Sequence, residues 1–206
     1  RLRLDGYVGS PQFQYVLQLS FAPGDVGKIE EGKNINIIRD AAITYKPNKN
    51  WNFIFGQTKI PGNRQRVNSS GALQLTDRSI NNASFNIDRD FGFQAYYLNE
   101  KKDKFSYNIK TALTSGNGRN ISQEDTNVAI STKLELLPFG TFSKGGEYFE
   151  GDLAREKKPK LMISGAYHQN NDSWNDKGQL GEEIYEARDL KSVFVDAILK
   201  YQGWSG

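Results

Sequence analysis

The stretch QFQYVLQLSF, residues 12–21, decides the fold class. Phe13, Tyr15, Leu17, Leu19 and Phe21 alternate with Gln12, Gln14, Val16, Gln18 and Ser20, the period of two that gives a β-strand one apolar and one polar face. The same alternation recurs on both sides of it, at 1–8, 35–46, 51–58, 91–98, 105–114, 128–136, 161–168 and 193–202, with apolar residues mostly at odd numbers. Residues 35–46 set Ile35, Ile37, Ala41, Ile43 and Tyr45 against Asn36, Asp40, Thr44 and Lys46. Residues 128–136 set Val128, Ile130, Leu134 and Leu136 against Ser131, Lys133 and Glu135. Nine strands are expected.

Their connections alternate as well. Gly9–Pro11, Pro47–Asn50 and Asn99–Asp103 read as short turns, and the links 22–34, 61–88, 115–125 and 171–190 are long. Short turns at one end and long loops at the other are the mark of an antiparallel up-and-down transmembrane β-barrel. The link 137–159 breaks this rule, being long where a short turn is due. A β-sandwich also alternates, and mid-strand charges such as Asp40, Lys110, Lys133 and Asp196 suit its solvent face as well as a wet lumen. Aromatic residues near strand ends (Trp51, Tyr45, Phe91, Tyr97, Phe105, Tyr201) favour the girdles of a membrane barrel. Nine is an odd strand number, and both termini fall in or beside alternating segments. The expectation is therefore a single β-barrel region over 1–206, a fragment amounting to about half of a larger barrel.

Composition agrees. Hydrophobic residues are 37% and charged residues 25% of the 206, and mean hydropathy is −0.66. No run approaches the ~18 apolar residues of a membrane helix, whereas barrel strands average out as polar. With no cysteine there is neither a disulfide framework nor a thiolate metal site. The net charge of +3, without a basic stripe, gives no case for nucleic acid.

Several stretches in order, RLRLDGYVG (1–9), FQYVLQLSF (13–21), RDAAITYKP (39–47), FGQTKIPGNRQRVNSSGALQLTDRS (55–79) and NIDRDFGFQAYY (86–97), resemble the phosphate-selective porin O and P family in its Bacteroidota form. EGDLAREKKPKLMISGAYHQN (150–170) and ILKYQGWSG (198–206) look like the same family's second half. The resemblance implies a sixteen-stranded porin barrel, of which this chain would be about half, usually trimeric and set in outer-membrane lipid. It implies passive diffusion of small hydrophilic solutes, with a phosphate-like anion preference, and no enzymatic activity or cofactor. It also implies that the loop after the GQxKxP strand folds into the lumen as a constriction, here 61–88. The family's paired arginines map onto Arg1 and Arg3, its GQxKxP lysine onto Lys59, and its loop-end ER motif onto Asp77–Arg78. No further arginine ladder appears along the pore-facing positions assigned above, which points to a general porin more than to phosphate specificity.

The candidate pore residues are thus Arg1, Arg3, Lys59, Arg64, Arg66 and Arg78, with Arg89 just past the loop and only Asp77 and Asp88 opposing. Basic groups in a throat attract anions and replace part of their hydration. On the polar strand face Lys46, Lys110, Lys133 and Lys200 join Arg1 and Arg3 against Asp5, Asp40, Glu135 and Asp196, so that face is mildly electropositive. Asp172, Asp176 and Glu183 have the spacing of part of a calcium loop, but Lys177 stands where the turn needs glycine, so no metal is expected. His168, the one histidine, has Ser164 on its face at ~13 Å along the strand, too far for a hydrolase pair. A second reading keeps the barrel as a structural subunit of a larger outer-membrane complex without transport.

Overall fold

The computed structural model describes residues 1–26, 36–120, 128–176 and 183–206. Among the described residues, every strand belongs to one antiparallel sheet whose spatial order equals the chain order. Its strands are β1 (Leu2–Val8), β2 (Ser10–Leu19), β3 (Ile38–Tyr45), β4 (Trp51–Lys59), β5 (Arg89–Asn99), β6 (Ser106–Thr114), β7 (Val128–Leu137), β8 (Lys160–Asn175), β9 (Glu183–Tyr201) and β10 (Trp204–Ser205). The nine expected strands are all present. The tenth, β10, is a two-residue return that pairs Trp204 with Tyr201 after a turn through Gln202 and Gly203. That turn is too short for periodicity to reveal. The sheet is not closed on itself: β1 and β10 lie at its two ends.

The sheet is inside-out relative to a soluble sandwich. On β7, Val128, Ile130 and Leu134 are exposed, while Ser131, Lys133 and Glu135 between them are almost wholly buried. Phe13, Ile43, Phe55, Phe93, Leu113, Ile163 and Val195 are likewise exposed on the outer face. A continuous apolar surface of this kind is stable only against something apolar, and for a twisted up-and-down sheet that is lipid. At the short-turn end the outer face carries an aromatic band. Phe13 stacks on Tyr45 with ring centroids 4.6 Å apart, Trp51 meets Tyr97 edge-on at 5.1 Å, and Tyr97 meets Tyr107 at 6.0 Å. This is the interfacial girdle that the strand-end aromatics predict.

Local chemistry explains the turns. Asn48 Oδ1 accepts from the backbone N–H groups of Asn50 and Trp51 at 2.9 and 3.1 Å, which closes the β3–β4 turn. Ser106 Oγ accepts from Lys101 N at 2.8 Å in the β5–β6 turn.

Two expectations about links need correction. The link 171–190 is largely strand: β8 and β9 run on through it, sixteen and nineteen residues long, against the ~9–11 that span a bilayer. The asparagines and charges there are strand residues beyond the apolar band, where alternation no longer has a lipid face to record. Asp172 of the calcium-like spacing consequently lies within β8, not in a loop. The link 137–159 is not an irregularity of the barrel wall. It folds onto the inner face, as does 61–88. Ile35, residues 27–34 of the link 22–34, residues 121–125 of the link 115–125, residues 177–182 and the Glu183 side chain lie outside the described residues.

Candidate pore and constriction

The strand β4 delivers the loop. At its end Ile60 buries against Ile87 and Ala112, with Phe194 of β9 packed on the group, so the loop's two ends are pinned together over the inner face. Ile60 N donates to Asp88 O at 3.1 Å. Gly62 lies beneath Ile87, where an added Cβ would sit 2.3 Å from Ile87 Cγ1, so any side chain there would have to displace the buried Ile87. From there the loop crosses the sheet. Lys133 of β7 donates to Gly62 O at 2.9 Å, and Asp196 of β9 accepts from Arg64 N at 3.0 Å. One helical turn, α1 (Pro23–Val26), follows β2, and the loop carries two further short α-helices, α2 (Arg64–Val67) and α3 (Ile80–Ser84).

The second in-folding link enters from the opposite end. Phe142 buries against Leu137, Met162 and Ile198. Lys200, 1% exposed, donates to the carbonyls of Gly146, Phe149 and Gly151 at 2.6, 2.9 and 2.7 Å. The two links meet at Arg64, whose Nε and Nη2 donate to Glu147 O and Phe149 O at 2.9 and 2.7 Å. Glu150 Oε2 accepts from Gln74 N at 2.7 Å, and Glu150 N donates to Ala72 O. Buried within this packing, the Glu147 carboxyl is pushed above its ordinary range by desolvation, and nearby Glu100 and Glu135 add to the rise.

Between the loop and β1–β5 lies a cavity of about 290 Å³. Arg1 just before β1, Arg3 of β1, Arg39 of β3, Lys59 of β4 and Arg89 of β5 reach it from the wall, and Arg66 and Arg78 reach it from the loop. The carboxylate on its surface is that of Asp40. Arg89 grips Asp40 with both ends of its fork, Nε to Oδ1 at 2.9 Å and Nη2 to Oδ2 at 3.1 Å. Asp88 takes Arg66 in the same way at 2.9 and 2.5 Å, with Arg89 Nη1 at 3.2 Å. Burial alone would raise the Asp88 carboxyl, but the hydrogen bond and charge of Arg66, with the charge of Arg89, outweigh it and hold the group below its usual range. Lys59 Nζ donates to Val67 O and Asn68 O at 2.6 and 2.9 Å, and Arg78 donates to Gln65 O and Asn68 O at 2.8 and 3.0 Å. Arg1 reaches Ser70 Oγ at 3.0 Å, and Arg3 pairs with Asp5 at 2.8 Å.

Five of the six residues singled out from the sequence therefore converge, namely Arg1, Arg3, Lys59, Arg66 and Arg78. Arg64 does not: it is buried against the second in-folding link. Two arginines were missed as wall residues. Arg39 stands at an odd, outward position by simple alternation, but the register passes from Gln18↔Asp40 to Leu19↔Ile38 and skips it. That bulge turns it inward, where Asp25 Oδ2 accepts from it at 3.4 Å and Arg119 binds the same carboxylate at 3.1 Å. The signal was present in the sequence, since an arginine on a lipid-facing position is costly enough to demand a bulge. Arg89 is likewise buried inward at the start of β5. With them the wall does carry arginines beyond Arg1 and Arg3, contrary to the expectation of none.

The lumen-facing charges are placed as follows. Lys110 lies 2.8 Å from the Glu135 carboxylate and 2.5 Å from Tyr148 Oη, Lys133 and Lys200 hold loop carbonyls, and Asp196 holds the Arg64 amide. Lys46 follows β3 at the short-turn end. The histidine also has a closer serine than the sequence reading allowed. Ser131, cross-strand from His168, has Oγ 2.8 Å from Nδ1. Both side chains are almost fully buried, and the pair is a hydrogen bond within the wall.

A family model described as phosphate-selective porin O and P matches residues 1–177. Neither the curated proteins nor the solved structures gave a match.

Proposed function

The chain belongs to the phosphate-selective porin O and P family of bacterial outer-membrane porins, and on that premise we propose that it forms a passive diffusion channel with anion preference, whose constriction is loop 61–88. The observation that carries this reading is the basic cavity, where seven cationic side chains from four strands and the loop surround the carboxylate of Asp40. Clustered guanidinium groups in a narrow, partly desolvated throat raise the local potential by several kT and offer forked donors to oxyanions. An anion entering there exchanges water for N–H donors, and the shared contacts let it leave again. Lys59, Lys133 and Arg78 hold the loop backbone, Arg66 and Arg89 are paired with Asp88 and Asp40, and Arg1, Arg3 and Arg39 stand on the same cavity, so the field there is the sum of all of these charges. A sheet in hydrocarbon cannot leave a strand edge unpaired, so this reading requires strand partners for the outer edges of β1 and β9. It also takes the barrel as one subunit of a homotrimer.

One observation favours the structural-subunit reading. The two in-folding links are riveted to each other and to the wall, which is how a plug would be built. Recording the full-length protein in planar bilayers under a salt gradient separates the two. The channel reading expects steady conductance with a reversal potential on the anion side. A silent bilayer, or cation preference, would contradict it.

A further inference from the structure

We propose that the rim of the sheet beyond the aromatic band binds the headgroups of anionic phospholipids in the leaflet that the short turns face. The patch joins the β5–β6 turn to the residues of link 137–159 that lead into β8, away from both open ends of the sheet. Lys101, Lys102 and Lys104 stand on the turn, and Arg155, Lys157 and Lys158 on the link, all of them exposed. A cleft of about 610 Å³ lies between the two segments. The two carboxylates that line it, Asp103 and Glu156, are already engaged. Glu156, 4% exposed, accepts from the amide and the hydroxyl of Ser143. Asp103 accepts from Lys160 Nζ at 2.9 Å on one oxygen and lies 3.4 Å from Lys158 Nζ on the other. Lys160, almost fully buried, also donates to Phe139 O at 2.8 Å, which ties the link to the end of β7. Among the described residues Lys101, Lys102, Lys104, Arg155 and Lys157 form no ion pair, so the exposed surface of the patch is cationic.

The depth of the patch points to a lipid as the source of the anion. Phe105, exposed on the outer face, directly follows Lys104, with its ring 6.3 Å from that of Tyr107 in the aromatic band. Phe139, also exposed, follows Leu137, the cross-strand partner of Ser106, and so lies at the same depth. Lys102 is three residues from Phe105, within about 10 Å at ~3.3 Å per residue, and a headgroup layer is about 5–7 Å deep. Apolar rings at the hydrocarbon boundary, followed at once by ammonium groups without acidic partners, fit a phosphodiester lipid. Its acyl chains cover the rings while its charge sits among the lysines. A free phosphate would meet the same ammonium groups but gain nothing from the rings. The short turns of such barrels face the periplasm, so the leaflet is the periplasmic one.

The test is native mass spectrometry of the purified full-length protein in detergent, titrated with phosphatidylglycerol and, separately, with phosphatidylcholine. The native protein should bind phosphatidylglycerol at least fivefold more tightly. A basic residue at an anionic lipid surface contributes about fivefold in affinity, so Lys102→Gln, Lys104→Gln and Lys157→Gln together should weaken phosphatidylglycerol at least tenfold. Phosphatidylcholine binding should not change. The three lysines replaced by arginine instead should keep the native preference, which separates loss of charge from loss of fold. Millimolar inorganic phosphate should leave the lipid bound. Equal affinity for the two lipids in the native protein, or native phosphatidylglycerol affinity in the glutamine variant, overturns the proposal. So does loss of binding in the arginine variant, and displacement of the lipid by phosphate would assign the patch to small anions. The outcome is independent of whether the pore conducts.

Discussion

The two flanks of loop 61–88 are made from one segment and differ in how they are held. The flank toward β1–β5 is ionic: Arg66, Arg78 and Arg89 face acids or carbonyls that are themselves buried, in forked pairs. The flank toward β8 and β9 is neutral: Asn63 bonds Asn82 and Ser79 bonds Gln65, Asn63 Oδ1 and Asn86 Oδ1 are buried without a hydrogen-bond partner among the described residues, and Phe85 is exposed. The comparison teaches that position in a barrel lumen does not determine chemistry. A loop crossing the sheet can give one side a field and the other a hydrogen-bonding surface, provided buried anchors fix it in between. Those anchors are Gly62 under Ile87, the Ile60–Ile87 contact and the Arg64 junction.

The ionic flank should be the more fragile of the two. Asp40→Ala leaves the buried Arg89 guanidinium with one contact to Asp88 in place of three acidic contacts and should remove about 3 kcal/mol of stability, as breaking buried pairs does. Loss of the heat-modifiable folded band on gels would report it; an unaltered band would show that the pair is not essential. On the neutral flank, Asn82→Ala removes one buried amide and should cost about 1–3 kcal/mol, read as a smaller shift in the unfolding temperature in detergent. Equal losses at the two positions would erase the distinction between the flanks.

A finer cut separates two neighbouring arginines. Arg66→Ala should lower the anion-to-cation permeability ratio. Arg64→Ala should leave that ratio nearly unchanged while making the loop more sensitive to protease, because Arg64 serves the second in-folding link. The smallest effect concerns acid. Asp88 has its folded-state pKa below the unfolded value, so its contribution is present above about pH 4 and is lost as pH falls through the lowered value. Pepsin cleavage of the loop, measured relative to an unfolded control peptide, should therefore stay slow down to about pH 4 and accelerate only below it. Acceleration already at higher pH would mean that another group holds the loop.

Much of this was legible from residues alone. Strand positions, the lipid-facing set and the girdle follow from alternation, because an apolar solvent outside selects apolar residues at every second position. Lys59, Arg66 and Arg78 could be placed through the family resemblance and the Pro61–Gly62 stop. What escaped were features that alternation cannot encode. The bulge at Arg39 shifts parity by one residue, and the β8–β9 extension lies where no lipid enforces a pattern. The inward fold of 137–159 depends on Lys200 meeting three carbonyls, which no local signal announces. Arg64 looked like a pore residue because its charge was visible and its partners were not.

The claim at the centre is that the basic flank sets ion preference. Its most direct test is the reversal potential of the full-length channel carrying Arg66→Ala with Arg78→Ala, in a potassium chloride gradient. The account predicts a shift toward cation selectivity that is large near 0.1 M salt, where the screening length is about 10 Å, and fades toward 1 M, where it is about 3 Å. A reversal potential equal to that of the native channel at low salt would contradict it.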